Sequence, residues 1–218
     1  MGYSIKIKNL TKKYGSQTVL NNVSLHFTDT HIYGLVGRNG SGKTMLFKHI
    51  CGFVKPDSGS VSVNGKVIGK DIENPDNCGI IIESPGFLPE YTGYQNLQML
   101  AVIKKKIGKE QIRQAMCTVG LDPDLKKAVG KYSLGMRQRL GIAQAIMEDP
   151  GILLLDEPMN GLDNEGVGEM RKLLLSLRNE GRLILIASHT KEDIDILCDE
   201  VYHMDHGTVT SVDYQKSP

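Results

Sequence analysis

Residues 37–44 read GRNGSGKT, with the spacing G-x-x-x-x-G-K-[ST]. Gly37, Gly40 and Gly42 can adopt backbone angles closed to other residues, which turns peptide N–H groups inward around an anion. Lys43 adds a charge that reaches the β- and γ-phosphates of a nucleotide, and the Thr44 hydroxyl suits Mg²⁺. Arg38, Asn39 and Ser41 complete the loop. The motif ends at Thr44, and the next position, Met45, is claimed for no role in the site. Far downstream, ILLLDEP (152–158) sets Asp156 and Glu157 at the end of an apolar run. Adjacent carboxylates repel unless a cation lies nearby, so a metal-bound nucleotide is their natural counter-charge. Asp156 suits the Mg²⁺ shell, and Glu157 suits polarising an attacking water. His189 follows RLILIAS (182–188). Its imidazole can bond a γ-phosphate and hold the water in line with Glu157. Tyr14, in KKYGSQ, is either a ring that stacks on adenine or an ordinary exposed tyrosine. His203 and His206 are assigned no chemistry.

These groups need a frame that brings them together. SIKIKNL (4–10) alternates like a strand, and TVLNNVSLHF (18–27) reads as a second with a turn signal at Asn21-Asn22. HIYGLVG (31–37) is an apolar strand entering the glycine loop, GSVSVNGKVI (59–68) resembles a hairpin, and GIII precedes Glu83 as a further strand. From about Tyr94 to Ala128 the spacing of apolar residues becomes helical. Next come strand 151–156, a helix over 165–179, strand 182–188, a short helix over 191–198 and a closing hairpin at His206-Gly207. Short apolar strands alternating with helices predict an α/β fold around a buried, mostly parallel sheet. Ligand crevices in such sheets open at the carboxyl ends of the strands, where Lys43, Glu157 and His189 all fall.

KYSLGMRQRLGIAQA (131–145) predicts one more helix, starting at Leu134 with Ser133 as its N-cap. Gly135 in that first turn costs about 1 kcal/mol against alanine, which points to a neighbour too close for a side chain. A helix start with free N–H groups is an anion site, the second in the chain.

The 218 residues carry a net charge of +1 and are 40% hydrophobic, enough for one large domain or a domain with a lobe. A near-neutral charge gives no footprint for nucleic acid or an anionic membrane. The basic runs at 104–106 and 126–127 read as solvated faces. Cys51, Cys78, Cys117 and Cys198 form no CxxC pair, which disfavours zinc and suits reduced cytosolic thiols. There is no secretion signal pattern, and no apolar run approaches the roughly 18 residues of a membrane span. The chain is therefore expected not to cross a membrane by itself.

The ordered set Tyr14, GRNGSGKT, YSLGM, ILLLDEP, NGLD (160–163) and His189 resembles the ATP-binding subunit of an ABC transporter, across essentially the whole chain. The resemblance implies a single domain over 1–218: a P-loop NTPase core from 1–90 and 150–218 with an N-terminal antiparallel β part, and a helical lobe over 91–149. It implies ATP and Mg²⁺ as ligands and a head-to-tail homodimer when ATP is bound. The signature residues Ser133, Leu134, Gly135 and Met136 of one copy would then close on the γ-phosphate held by the other, and Gly135 would permit the close approach. Asn160, Gly161, Leu162 and Asp163 would form the D-loop. It further implies a separate membrane-spanning permease, a peripheral cytoplasmic position on the membrane's inner face, and no nucleic-acid partner.

Two departures refine the resemblance. Tyr132-Ser133-Leu134-Gly135-Met136 stands where the family has Leu-Ser-Gly-Gly-Gln, and Glu83 stands where the loop joining the lobes usually has Gln. Both look like the exporters for bacitracin and for lantibiotic self-protection, which implies export of an antimicrobial peptide or drug. Glu83 would then reach the bound Mg²⁺; the alternative is a surface acid at a strand end. A soluble ABC ATPase acting on DNA or ribosomes would carry tandem cassettes or long coiled coils, and neither pattern is present. A regulatory ATP-binding module with little turnover is disfavoured by Glu157 and His189.

Overall fold

The computed structural model describes residues 2–28, 30–83 and 85–214. β1 (Ser4–Tyr14) pairs antiparallel with β2 (Gln17–Thr28). In β1 the alternation of SIKIK buries Ile5 and Ile7 and exposes Lys6 and Lys8. The Asn21-Asn22 signal does not turn the chain; β2 runs straight through it. Asn22 (φ +53°) lies beside Asn9 (φ +48°), with Asn9 Nδ2 donating to Asn22 Oδ1 at 2.9 Å. Asparagine tolerates the left-handed region, so the pair makes an irregularity in register rather than a corner. The reversal comes at Gly15, φ +58°, after a strand four residues longer than the alternation predicts. β4 (Ser58–Val63) and β5 (Lys66–Val67) form the expected hairpin, and the first sheet is ordered β2-β1-β4-β5.

The second sheet contains β3 (Ile32–Val36), β6 (Cys78–Ile81), β7 (Ile152–Asp156), β8 (Leu183–Ala187), β9 (Glu200–Asp205) and β10 (Thr208–Tyr214). Its order is β10-β9-β3-β8-β7-β6, parallel except where β10 turns back on β9 at His206-Gly207. β7 is buried on both faces, which explains its unbroken apolar run. Ile152 and Leu154 join a core shared with the first sheet and with α1 (Lys43–Ile50) through Leu46 and Phe47. Leu153 and Leu155 face the opposite core, shared with α4 (Leu134–Ile146), α5 (Asn164–Asn179) and α6 (Lys191–Leu197). The fold is α/β, with an antiparallel sheet, a mostly parallel mixed sheet, and helices.

Between β6 and β7 lie α2 (Gly93–Lys104), α3 (Lys109–Thr118) and α4. Thr92 and Gln95 form a capping box at the start of α2. The helical spacing expected up to Ala128 stops at Thr118. Gly120 (φ +75°) ends the helix, and the chain then crosses to Asp124, whose carboxylate takes both Arg113 Nη1 at 2.9 Å and Arg113 Nη2 at 2.6 Å. Among the described residues, no helix is long and apolar enough to cross a membrane.

Candidate nucleotide site

β3 delivers the glycine loop to the start of α1. Gly40 and Gly42 take φ +81° and +108°, and a Cβ on Gly37 would strike the Met204 carbonyl of β9. The loop can therefore be built only with glycine at these points. Gly42 caps α1 with no side-chain bond, so the first turn of the helix keeps unpaired N–H groups beside the loop. Lys43 is buried, and its ammonium donates to Gly37 O at 2.6 Å and Arg38 O at 3.1 Å. Among the described residues, buried Ser41 Oγ has no partner.

At the end of β7, Asp156 Oδ2 accepts from Thr44 Oγ1 at 2.7 Å. Burial pushes the Asp156 carboxyl above its usual range; the charges of Glu157 and Glu83 add to this, while the Thr44 bond and Lys43 oppose it. Glu157 follows in the left-handed region, φ +49°, and its Oε1 lies 2.8 Å from His189 Nδ1. With Glu157 as a carboxylate, Nδ1 is the donor, which leaves Nε2 for another partner. His189 itself is exposed.

A cleft of about 520 Å³ opens over the glycine loop, Asp156 and Glu157, while His189 lies outside its lining and borders a separate pocket with Val36 and Ile194. Asn39, Gly40, Ser41, Gly42, Lys43, Thr44, Glu83, Leu134, Asp156, Glu157 and Asn160 line the cleft. Met45, which the sequence gives no role, borders the cleft as well; its carbonyl accepts from His49 Nδ1 at 2.8 Å, one turn along α1. Tyr14 lies outside that lining, half exposed, with Lys12 Nζ 5.3 Å from its ring centroid. Glu83, φ +60°, directs Oε1 to Lys48 Nζ at 2.6 Å. Its charge is met here by a lysine of α1. Ser133 caps α4, its Oγ accepting from Met136 N–H at 3.1 Å, and Met136 packs against the apolar core. Within the chain, Gly135 has its own reason: an added Cβ would stand 2.8 Å from Gly161 O. Gly161, φ +78°, in turn has no room for a side chain beneath Leu134. Asp163 caps α5 through Gly166 N–H at 2.9 Å, and Leu162 joins the apolar core.

The ABC transporter family profile matches residues 20–160. The chain belongs to the ABC transporter family. This ABC protein is an ATP-binding subunit and an ATPase. It is 46% identical to an uncharacterised ABC transporter ATP-binding protein of Bacillus subtilis, over 97% of this chain and 99% of that one. It is 44% identical to a bacitracin transport ATP-binding protein of Enterococcus faecalis, over 95% of this chain and 68% of that longer one. The fold matches a bacterial ABC transporter cassette solved as a dimer, with TM-score 0.88 and 21% identity over 98% of this chain and 99% of that one.

The ABC subunit's cleft also suits Mg²⁺. Two oxygen donors, Thr44 Oγ1 and Asp156 Oδ2, converge, and Asp156 is crowded by other carboxylates whose repulsion a cation relieves. Among the described residues there is no group of three His, Cys, Asp or Glu that could hold a metal ion. Two polar residues of the cleft, Lys48 and Gln138, belong to none of the sequence motifs. Each lies four positions along its helix from a motif residue, Thr44 and Leu134, so counting helix faces would have found both.

Proposed function

We propose that this ABC ATPase works as a head-to-tail homodimer on the cytoplasmic face of the membrane. It would power export of an antimicrobial peptide or drug through a separate membrane-spanning permease, with no nucleic-acid partner. The observation that carries the reading is the Glu157–His189 contact, 2.8 Å, made by a carboxylate that shares a cleft with the glycine loop. A base held by an imidazole near a phosphate cradle can orient and deprotonate a water for in-line attack. The bacitracin-transport relative supports the substrate class, as do the departures at Glu83, Leu134 and Met136.

The loop residues Gly37, Arg38, Asn39, Gly40, Ser41 and Gly42 enclose the phosphates with backbone N–H groups. Lys43 exchanges the Gly37 and Arg38 carbonyls for the β- and γ-phosphate oxygens, a stronger pairing because both sides are charged. Thr44 and Asp156 would hold Mg²⁺, which when bound neutralises charge on those oxygens, and Glu83 would approach the same ion. Glu157 takes the proton of the attacking water, and His189, as the imidazolium, donates Nδ1–H to Glu157 and Nε2–H to the γ-phosphate. Tyr14 stacks on adenine. In the dimer, Ser133, Leu134, Gly135 and Met136 close the partner's site, with Asn160, Gly161, Leu162 and Asp163 as the D-loop beside it. The core (1–90 and 150–218) and the helical lobe (91–149) shift against each other as the γ-phosphate comes and goes.

Lys43→Ala tests this reading. MgATP affinity, measured by calorimetry, should fall at least about tenfold, because a point charge on the phosphates is removed. Peptide-antibiotic resistance conferred by the permease pair should fall with it. Equal affinity in mutant and wild type would refute the phosphate-loop assignment.

Glu83→Gln should keep most ATPase activity but need more Mg²⁺ for half-maximal rate, by roughly threefold, as one solvent-screened charge allows. The substitution leaves Lys48 unpaired beside the metal position, so the local field turns against a cation. Glu83→Ala should keep ATP binding yet uncouple hydrolysis from transport in the reconstituted complex. Superimposable Mg²⁺ curves with full transport would make Glu83 a surface acid.

A further inference from the structure

Gln138 lies one turn along α4 from Leu134 and is half buried. Its side-chain amide donates to two backbone carbonyls, Glu157 O at 3.2 Å and Pro158 O at 2.9 Å. Both partners only accept, so the NH₂ end of the amide must face them. The same Glu157 carbonyl accepts from Asn160 N–H at 3.1 Å, and the Glu157 N–H donates to Ala187 O of β8 at 2.8 Å. The peptide is therefore held from the sheet on one side and from α4 on the other. It needs to be, because a non-glycine residue at φ +49° is strained and persists only where its surroundings fix it. That backbone setting directs the Glu157 carboxylate to His189.

We propose that Gln138 is a positioning residue for ATP hydrolysis, tying the signature helix to the backbone of Glu157. The inference rests on the reading of Glu157 as the base. Its consequence lies in the head-to-tail arrangement. The start of α4 serves the nucleotide of the partner, whereas Glu157 serves the nucleotide of its own chain. A movement of α4 on closing over one site is thus delivered, four residues along the helix, to the base of the other. Leu134 over Gly161, and Gly135 against the Gly161 carbonyl, brace the same two segments. The helix start and segment 157–161 consequently move together.

Gln138→Met keeps length and helix propensity but removes the donor. Its kcat should fall at least about tenfold while KM for ATP stays within about threefold, because the base is misaimed and the phosphate loop is untouched. Gln138→Lys restores a donor at similar reach and should recover most of the rate. In a Glu157→Gln background, Gln138→Met should still form the ATP-driven dimer on sizing chromatography. Wild-type kcat in Gln138→Met overturns the proposal. So does loss of the dimer in the double variant, which would assign Gln138 to the signature itself. Gln138→Lys no faster than Gln138→Met overturns it as well. Glu157→Gln alone separates the two levels: rapid turnover there defeats the reading of the base, whereas slow turnover there beside a fast Gln138→Met defeats only the relay.

Discussion

Glu157→Gln is expected to bind MgATP nearly as tightly as wild type and to hydrolyse it at least about a hundredfold more slowly, the range expected for removing a general base. The exchange is close to isosteric. The backbone bonds that hold the residue, from Ala187, Asn160 and Gln138, do not involve the side chain that changes. A neutral amide can still meet His189 Nδ1 through its carbonyl oxygen, so the imidazole keeps its place. What is lost is a group able to accept the water's proton. Loss of a negative charge beside Asp156 also removes a repulsion toward the phosphates, so affinity should not fall. If the ATP-bound homodimer reopens only on hydrolysis, the variant should accumulate as a dimer when MgATP is present and return to monomer when ATP is withdrawn. Sizing chromatography with and without nucleotide, together with single-turnover rates, checks both halves. A monomer under saturating MgATP with normal turnover would remove Glu157 from this role.

The parallel sheet was legible because its strands are buried on both faces. Physics leaves little choice about a run such as ILLLD once it must sit between two apolar cores. The first sheet was less so. One face of β1 is solvated, and its alternation breaks at Lys8-Asn9 where the strand shifts register, so the sequence pattern ended four residues before the strand did. Asn21-Asn22 misled for a related reason. The left-handed angle that asparagine tolerates serves a tight turn and an irregular strand equally well, and only the facing Asn9 decides between them. Helical spacing likewise continued past Thr118 on paper. The bidentate Arg113–Asp124 bond that secures the following crossing is invisible without the fold.

In the cleft, the readable residues are those whose chemistry fixes both type and spacing. Gly42 has to be glycine at φ +108°, and Thr44 has to follow Lys43 for its hydroxyl to meet Asp156. Glu83 was visible as a departure, but its partner was not. Lys48 lies 35 residues away on α1, and only the folded chain shows that the acid has a resident counter-charge. Gln138 was hidden for another reason: its bonds go to backbone carbonyls, which carry no signature in side-chain types. In the sequence Gly135 is odd in a first helical turn, and a close approach across the dimer gives it one cause. The fold adds a second, the Gly161 carbonyl of the same chain, so the residue answers to a contact inside the subunit as well as to the proposed one across the dimer.

Ser133→Arg is expected to abolish ATPase activity while leaving ATP binding to the isolated monomer intact. Ser133 is exposed at the start of α4 and does not line its own chain's cleft. Among the described residues its side chain caps the helix through Met136 N–H, and losing that cap costs about 1 kcal/mol, too little to unfold a core of this extent. Arginine at this point adds bulk where, in the proposed dimer, the partner's γ-phosphate would approach, so the expected damage is to closure. Mixing Ser133→Arg with Lys43→Ala chains separates the arrangements. If the signature acts on its own chain's nucleotide, each site of a mixed dimer carries one defect and none can turn over. If it acts on the partner's, one site collects both defects and the other is intact. Activity in the mixture above that of either parent, at ratios where mixed dimers are shown to form by differential tagging, supports action across the dimer. No recovery under those conditions would place the signature's effect within one chain, and the second anion site at Ser133 would then need a ligand other than the partner's ATP.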